Sequence, residues 1–211
     1  MPGAISIGAI PSHIFAGNQP LRATYVRDYF LDVDATLLST HIPNIGDSWN
    51  QGSGGFNIDV NTLISTAAAF NEAYIGVGSP NVEIQMDILG GVSASGNAQI
   101  GILFRGDGST ANYWIWRLID DGAASVRRMT LGQTVAGTFA EVSTDDLGDI
   151  FSSSTGDVLR IRLRGTQITG YLNDTQVFTR ADTFSDTGES HGVFIYNADT
   201  NAIDNFQILG A

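Results

Sequence analysis

The chain has 211 residues, of which 43% are hydrophobic and 15% are charged, and its formal net charge is −12. This charge argues against nucleic acid and anionic membranes as partners, since both would repel the protein, and no stretch approaches the roughly 18 apolar residues of a membrane span. The chain contains no cysteine, which excludes disulfides, thiolate catalysis and cysteine-based metal sites.

The first 27 residues are predicted to form an extended N-terminal arm. Pro2, Pro11 and Pro20 fall in this segment, and proline at this density prevents a continuous helix. The segment is too apolar for a solvated linker. We therefore expect it to lie on a protein surface, either that of its own domain or that of a neighbouring subunit. The residues expected to dock are Ile5, Ile7, Ile10, Ile14 and Phe15.

From Asp28 onward, short segments predict β-strands. Residues Val82 to Ile88 alternate strictly between apolar and polar, which is typical of a strand with one buried face. Ala98 to Arg105 is almost continuously apolar, as in a central strand, and Asn173-Asp174 indicates a two-residue hairpin turn. About ten to thirteen strands with few helical windows predict one all-β domain, residues 28–211, built as a two-sheet antiparallel sandwich.

Several strings in this region resemble the laminin-G-like and concanavalin A-like jelly rolls of phage virion proteins and bacterial surface proteins. The strings are Asp28-Tyr29-Phe30, His41-Ile42-Pro43, Gly46-Asp47-Ser48-Trp49, Gly101 to Arg105, Asn112-Tyr113, Gly170 to Asp174, Gly192-Val193-Phe194 and Asp204-Asn205-Phe206. The resemblance implies a jelly-roll sandwich. It leaves function open, because this fold carries lectins, glycosidases, adhesins and structural virion domains.

The sharpest enzymatic candidate is the strand Glu83-x-Gln85-x-Asp87. Some glycosidases with the resembled fold carry an E-x-D-x-E strand whose outer glutamates act as nucleophile and acid/base. In this chain an amide replaces the central acid and a shorter aspartate replaces the last glutamate, so the motif is broken. We therefore expect a solvent-facing polar row on this strand, no catalytic residues and no enzymatic activity.

Segments rich in Asp and Asn, whose side-chain oxygens can bind cations, are the remaining candidates for an ion site. They are Asp120-Asp121, Asp145-Asp146 and Asp199-x-Asn201-x-x-Asp204. None fits a D-x-[DN]-x-[DN]-G calcium loop that ends in Glu, and Asp and Asn also occupy turns without a metal. The histidines are widely separated, and His41 is expected to make a structural hydrogen bond. We expect no metal and no cofactor, with Ca²⁺ as the open alternative.

Trp114 and Trp116 are the most prominent aromatic pair. Alternation places both on one face of a strand, with Tyr113 and Ile115 on the other face. The favoured interpretation is that the two indoles fill the core between the sheets. The alternative is an exposed platform that stacks on sugar rings, as in carbohydrate-binding sandwiches.

Two functions fit these features. The first is a non-enzymatic virion protein, either a phage capsid decoration protein or a tail-associated protein. It would use its arm to bind other virion proteins and its own copies, and could present the sandwich to host glycans. The second is a carbohydrate-binding or glycoside-hydrolase-like domain of a bacterial surface or secreted protein. The sequence favours the first, because it accounts for the arm and the lack of a signal-peptide pattern.

Overall fold

The computed structural model describes residues 22–66, 70–89, 98–120, 127–146, 156–196 and 202–211. These residues contain sixteen strands and a 3₁₀ turn at Leu38–Thr40. The strands are β1 (Thr24–Asp28), β2 (Thr36–Leu37), β3 (Asn50–Ser53), β4 (Phe56–Asp59), β5 (Thr62–Ser65), β6 (Phe70–Gly76), β7 (Val82–Leu89), β8 (Ala98–Gly106), β9 (Tyr113–Asp120), β10 (Arg127–Val135), β11 (Thr138–Asp146), β12 (Asp157–Arg164), β13 (Gln167–Leu172), β14 (Thr175–Ala181), β15 (Ser190–Tyr196) and β16 (Ala202–Gly210).

The strands form two antiparallel sheets. The nine-stranded sheet has the order β14-β13-β12-β7-β16-β5-β4-β2, and β1 also pairs with β16. The seven-stranded sheet has the order β11-β10-β9-β8-β15-β6-β3. One buried apolar cluster takes residues from both sheets, so the sheets pack face to face. The predicted all-β, two-sheet jelly-roll sandwich is confirmed. No helix within the described ranges is long and apolar enough to cross a bilayer.

Strand alternation explains which side chains enter the core. On β7 the inward side chains of Ile84 and Met86 are fully buried, as the sequence predicted. On β9 the Trp114 and Trp116 side chains are buried in the same core. The Trp114 ring stacks on Phe104 with centroids 6.2 Å apart. Neither indole reaches the surface, so the sugar-platform alternative does not apply to this pair.

The sandwich begins earlier than Asp28, because the last residues of the predicted arm form β1. Thr24–Asp28 pairs with the closing strand from Leu209 to Phe206, and Val26 is fully buried in the core. The domain therefore starts at Thr24 at the latest. The predicted docking residues of the arm lie outside the described residues, and their docking stays a prediction.

The opening strings of the domain meet at the buried carboxylate of Asp28. This carboxylate accepts hydrogen bonds from the backbone N–H of Phe30, from His41 Nε2 and from Trp49 Nε1, each at 2.8 Å. The other ring nitrogen of His41 lies 3.3 Å from the Asp32 carboxylate. Asp28 is fully buried, and a buried carboxylate needs such partners. These contacts give His41 a structural role.

Candidate functional site

The strand proposed as a catalytic candidate carries an ion-pair cluster on the outer face of the nine-stranded sheet. The Glu83 carboxylate lies 2.6 Å from Arg162 Nε, 2.9 Å from Arg22 Nη1 and 3.6 Å from Arg160 Nη1. Burial raises the pKa of Glu83, but hydrogen bonds from Arg162 and Arg22 outweigh burial and hold that pKa below its usual value. A carboxyl group kept ionised in this way is a poor general acid.

Asp87, at the other end of this polar row, also makes a contact within the fold. Glu83 is only 8% exposed, and Gln85 and Asp87 are half-buried. Asp87 accepts a hydrogen bond of 2.6 Å from Asn205 Nδ2. The sequence pattern predicts a row that faces solvent. In the structure Glu83 instead contacts arginines on β12, and Asp87 contacts Asn205 on β16.

The outer face of the seven-stranded sheet combines aromatic rings with hydrogen-bonding groups. Because Trp114 and Trp116 point into the core, Tyr113 and Arg117 on the same strand point outward. We call this surface the seven-stranded face. It is defined by Phe70, Glu72 and Tyr74 on β6, Gln99 on β8, Tyr113 and Arg117 on β9, Thr130 on β10, Phe139 on β11 and Tyr196 on β15.

A small apolar cluster lies beneath the seven-stranded face. Leu103, Ile115 and Phe194 form a buried cluster separate from the main core, and Tyr196 packs against it. The Phe70 ring lies 4.9 Å from the Tyr196 ring, centroid to centroid, and Phe70 is 48% exposed. The face therefore presents to solvent an aromatic surface that packs on a buried apolar cluster.

A carboxylate and a phenol meet beside this aromatic surface. The Tyr113 hydroxyl donates a hydrogen bond to Glu72 Oε1, and Ser53 Oγ lies 3.4 Å from Glu72 Oε2. Burial raises the pKa of Glu72, and burial together with the Glu72 hydrogen bond raises the pKa of Tyr113. Tyr113 therefore remains a neutral hydroxyl at physiological pH. Glu72 and Tyr113 line a small pocket with Tyr74 and Leu103.

Arg117 is the second polar anchor of the face. Its Nε donates to Thr130 Oγ1 at 3.0 Å, and its Nη1 donates to Gln99 Oε1 at 2.7 Å. Its Nη2 lies 3.8 Å from the Glu141 carboxylate. Burial lowers the pKa of Arg117, yet an arginine stays charged in proteins. These contacts hold the guanidinium in one orientation.

The ring of Phe139 covers Arg117 from the neighbouring hairpin. The Arg117 guanidinium carbon lies 4.3 Å from the Phe139 ring centroid, a cation–π distance. A Cβ atom at Gly132 would lie 2.4 Å from a Phe139 ring carbon. Glycine at this position therefore lets the ring lie against β10 and reach Arg117.

This arrangement suits a ligand that has both apolar ring faces and many hydroxyl groups. Exposed aromatic rings stack on flat apolar surfaces. Glu72 and Arg117 are only 5% and 7% exposed, and they fix the half-buried Tyr113 and Gln99 side chains. Polar groups fixed in this way bind hydroxyl groups with little ordering cost. The seven-stranded face offers both within one sheet.

The seven-stranded face is not predicted from the sequence. Alternation places Tyr113 and Ile115 opposite the tryptophan pair on β9, but the tryptophans are the more prominent candidates for sugar stacking. The outward alternation of Tyr113 and Arg117 was the available signal. Glu72 and Tyr196 gave none, because β6 and β15 join them to β9 only through long-range pairing.

A metal site receives no support from the described part of the chain. Within it, no group of three or more His, Asp or Glu side chains could hold a metal ion. Most of the predicted Ca²⁺ ligands lie outside the side chains that the structure describes. The Ca²⁺ alternative therefore stays a prediction.

No protein-family model and no curated protein matches the sequence. Solved structures nevertheless share its fold. The carbohydrate-binding module CBM66 from Bacillus subtilis has a TM-score of 0.61 at 14% identity, and the match covers 77% of this chain and 95% of that one. The CBM2 module of the evolved Dit of Lactobacillus casei BL23 phage J-1 has a TM-score of 0.61 at 14% identity, covering 90% and 99%.

An enzyme also shares the fold. The Bacillus licheniformis beta-glucanase has a TM-score of 0.56 at 10% identity, covering 89% of this chain and 98% of that one. At such low identities these similarities show the jelly-roll sandwich alone. Binding modules and a hydrolase use this same architecture, so the function has to be argued from side chains.

Proposed function

We propose that this protein binds carbohydrate through the seven-stranded face, that it does not hydrolyse its ligand, and that a phage particle carries it. The observation that supports the proposal most strongly is that the exposed Phe70 ring and the half-buried Tyr196 ring lie on the same face as Tyr113 and Gln99. Glu72 and Arg117 hold these two polar side chains in place. Sugar rings have both kinds of surface that such a site would contact.

The solved structures with the same fold support this proposal. One is a bacterial carbohydrate-binding module, and another is a CBM2 module of a phage Dit. The carbohydrate-binding part of the proposal would hold equally for a bacterial surface domain. The virion part rests on the predicted arm and on the likeness to the phage module.

The entry of the arm is compatible with a displayed binding face. Arg22, the first described residue, contacts Glu83 on the outer face of the nine-stranded sheet. The seven-stranded face lies on the other side of the core. Attachment through the arm would therefore leave the proposed binding face uncovered.

The first prediction concerns binding. Full-length protein should bind a subset of an immobilised glycan array. Phe70→Ala should weaken binding to the best glycan about tenfold by removing a stacking ring. Arg117→Met should also weaken it about tenfold, because Gln99 loses the guanidinium that holds its amide in place. Dissociation constants from isothermal titration calorimetry would measure both effects.

A matched control is available at Arg164, an exposed arginine at the end of β12. Arg164→Met removes the same charge from the protein and should leave glycan affinity unchanged. Equal affinity of all variants would place the binding site elsewhere. Failure of the full-length protein to bind any glycan would contradict the proposed function.

The second prediction is that the protein releases no reducing ends from β-glucans or other polysaccharides. The physical reason is that Arg162, Arg22 and Arg160 hold Glu83 ionised, so Glu83 cannot act as the proton donor. A reducing-end assay on purified full-length protein measures this. Turnover that disappears in Glu83→Gln would show that the strand is catalytic.

A further inference from the structure

Exposed apolar side chains are concentrated in one part of the sandwich. Among the described residues, six of the nine large hydrophobic side chains classed as exposed fall between Leu31 and Val60, and they are 42% to 75% exposed. We call this surface the edge patch. Its members are Leu31, Val33, Leu37, Ile42, Ile45 and Val60. Concentrated exposed apolar surface usually marks an interaction site.

Hydrogen bonds hold the segments of the edge patch together. The β2 strand pairs with β4 at the end of the nine-stranded sheet. The backbone N–H of Val60, in the turn after β4, donates to Asp34 Oδ1 at 2.9 Å. His41, which precedes Ile42, lies 3.3 Å from the Asp32 carboxylate. These contacts hold the loop from Leu31 to Ile42 against the β4–β5 turn, and the bridge from Ile45 to Arg27 places Ile45 beside the end of β1.

Val60 is held in the patch at a conformational cost. It has φ of 48° and is followed by Asn61 with φ of 59°, which is the geometry of a type I′ hairpin turn. Asn or Gly favours such a position, whereas a β-branched residue is strained there. Val60 is also 72% exposed. Neither the backbone nor solvent exposure favours valine at this place, whereas an apolar partner would.

The arm joins the domain at the start of β1, and the edge patch lies beyond the other end of this strand. Arg22 contacts Glu83, and Thr24 pairs with Leu209 beside it. The five residues of β1 then span about 16 Å before the chain reaches Leu31, the first residue of the patch. The arm root and the patch therefore lie at opposite ends of the same strand.

The composition of residues 1–21 matches the patch. This segment contains no Asp, Glu, Lys or Arg, so the formal charge of −12 belongs entirely to the remaining residues. Two such acidic sandwiches repel each other, and an uncharged apolar segment approaches either of them without that cost. Fully extended, 21 residues reach about 70 Å, which is ample to bridge two copies.

We propose that the arm of one copy docks its apolar side chains on the edge patch of a second copy, so that copies associate head to tail. The contact is heterologous, since arm and patch are different surfaces, and it generates rings or open chains of subunits. This inference goes beyond the proposed carbohydrate binding and does not depend on it.

The test uses two full-length variants. The arm variant carries Ile10→Ser, Ile14→Ser and Phe15→Ser, and the patch variant carries Ile42→Ser and Val60→Asn. Sedimentation velocity over a range of concentrations should show wild-type oligomers and monomers of each variant alone. An equimolar mixture should form a 1:1 heterodimer, because the arm variant keeps an intact patch and the patch variant keeps an intact arm.

Folding controls separate assembly from stability. Val60→Asn alone should raise the melting temperature of the monomer, because asparagine tolerates the left-handed conformation better, so loss of assembly would not reflect unfolding. Val135→Ser removes an exposed valine from the β10–β11 hairpin, outside the patch, and should assemble like wild type.

Three outcomes would overturn the proposal. Wild-type protein that is monomeric at all concentrations excludes contact between copies, and a lower melting temperature of the arm variant would then indicate docking within one chain. Oligomers that persist in the patch variant would place the arm elsewhere. A mixture that stays monomeric would exclude complementary contacts. Glycan binding by the same variants should be unchanged, so either proposal can fail alone.

Discussion

Replacing Asp28 by alanine should lower the free energy of unfolding by about 3–5 kcal/mol, because each buried donor left without an acceptor costs about 1–3 kcal/mol. The substitution leaves the donors of Phe30, His41 and Trp49 buried without their acceptor. For a domain of this size, such a loss lowers the melting temperature by about 6 °C or more. Thermal and urea unfolding followed by circular dichroism would measure it.

Two further substitutions test the cause. Asp47→Ala removes an exposed aspartate from the same opening segment, and it should change stability by no more than about 0.5 kcal/mol. Asp28→Asn keeps the shape of the side chain and one acceptor oxygen, so it should fall between wild type and Asp28→Ala. If Asp28→Ala were as stable as Asp47→Ala, Asp28 would not be the centre that joins the opening strings.

The second large effect is a loss of stability in acid that depends on His191. This ring is fully buried. Its Nδ1 accepts from the backbone N–H of Arg105 at 3.2 Å, and its Nε2 donates to the Ser79 carbonyl at 3.0 Å. Burial, with a contribution from the Arg105 charge, lowers the pKa of His191 from 6.5 to about 4. The folded protein therefore keeps this ring neutral.

The direction of this pH effect follows from the difference in proton uptake by His191 between the folded and the unfolded chain. Above pH 6.5 the ring is neutral in both the folded and the unfolded chain, so the stabilisation is fully present. As pH falls from 6.5 to about 4, only the unfolded chain takes up the proton, and up to about 3 kcal/mol is lost. Urea unfolding between pH 7 and pH 4 would measure the slope.

His191→Gln is the matching variant, because glutamine does not titrate. It should be less stable than wild type at pH 7, and its stability should fall less steeply with acid. Burial raises the pKa of Glu72 and of Asp204, so these groups act in the opposite direction in both proteins. The difference between the two slopes isolates His191, and identical slopes would contradict its proposed role.

The sandwich could be predicted from the sequence because strand alternation and turn residues are local patterns. Alternation on β7 and the Asn173-Asp174 turn depend only on neighbours in the chain, and the structure has both, with φ of 48° and 65° at the turn. The strand count was underestimated because β2 to β5 are short segments in a stretch rich in Gly, Asn and Ser. Such residues are typical of turns as much as of strands.

Local sequence patterns could not predict the candidate site, because its residues are far apart in the chain. Glu72 and Tyr113 are 41 positions apart and meet only because β6, β15, β8 and β9 are successive neighbours in one sheet. The Asp28 cluster shows the same limit. Its three strings were recognised as a resemblance, but no pattern indicated that one carboxylate accepts hydrogen bonds from all of them. Strand order decides both sites, and strand order is a property of the whole chain.

The pairing of β1 with β16 also determines how the protein bears mechanical load. A pull on residues 1–21 enters the sandwich along β1, and the hydrogen bonds to β16 run perpendicular to that direction. Tension directed along β1 would load these bonds together in shear, whereas tension across the strand would peel them one by one. The Arg22–Glu83 ion pair stands at the point where the force enters, and the buried Val26 anchors the strand behind it. A pull directed along β1 would therefore reach the core through this strand pair.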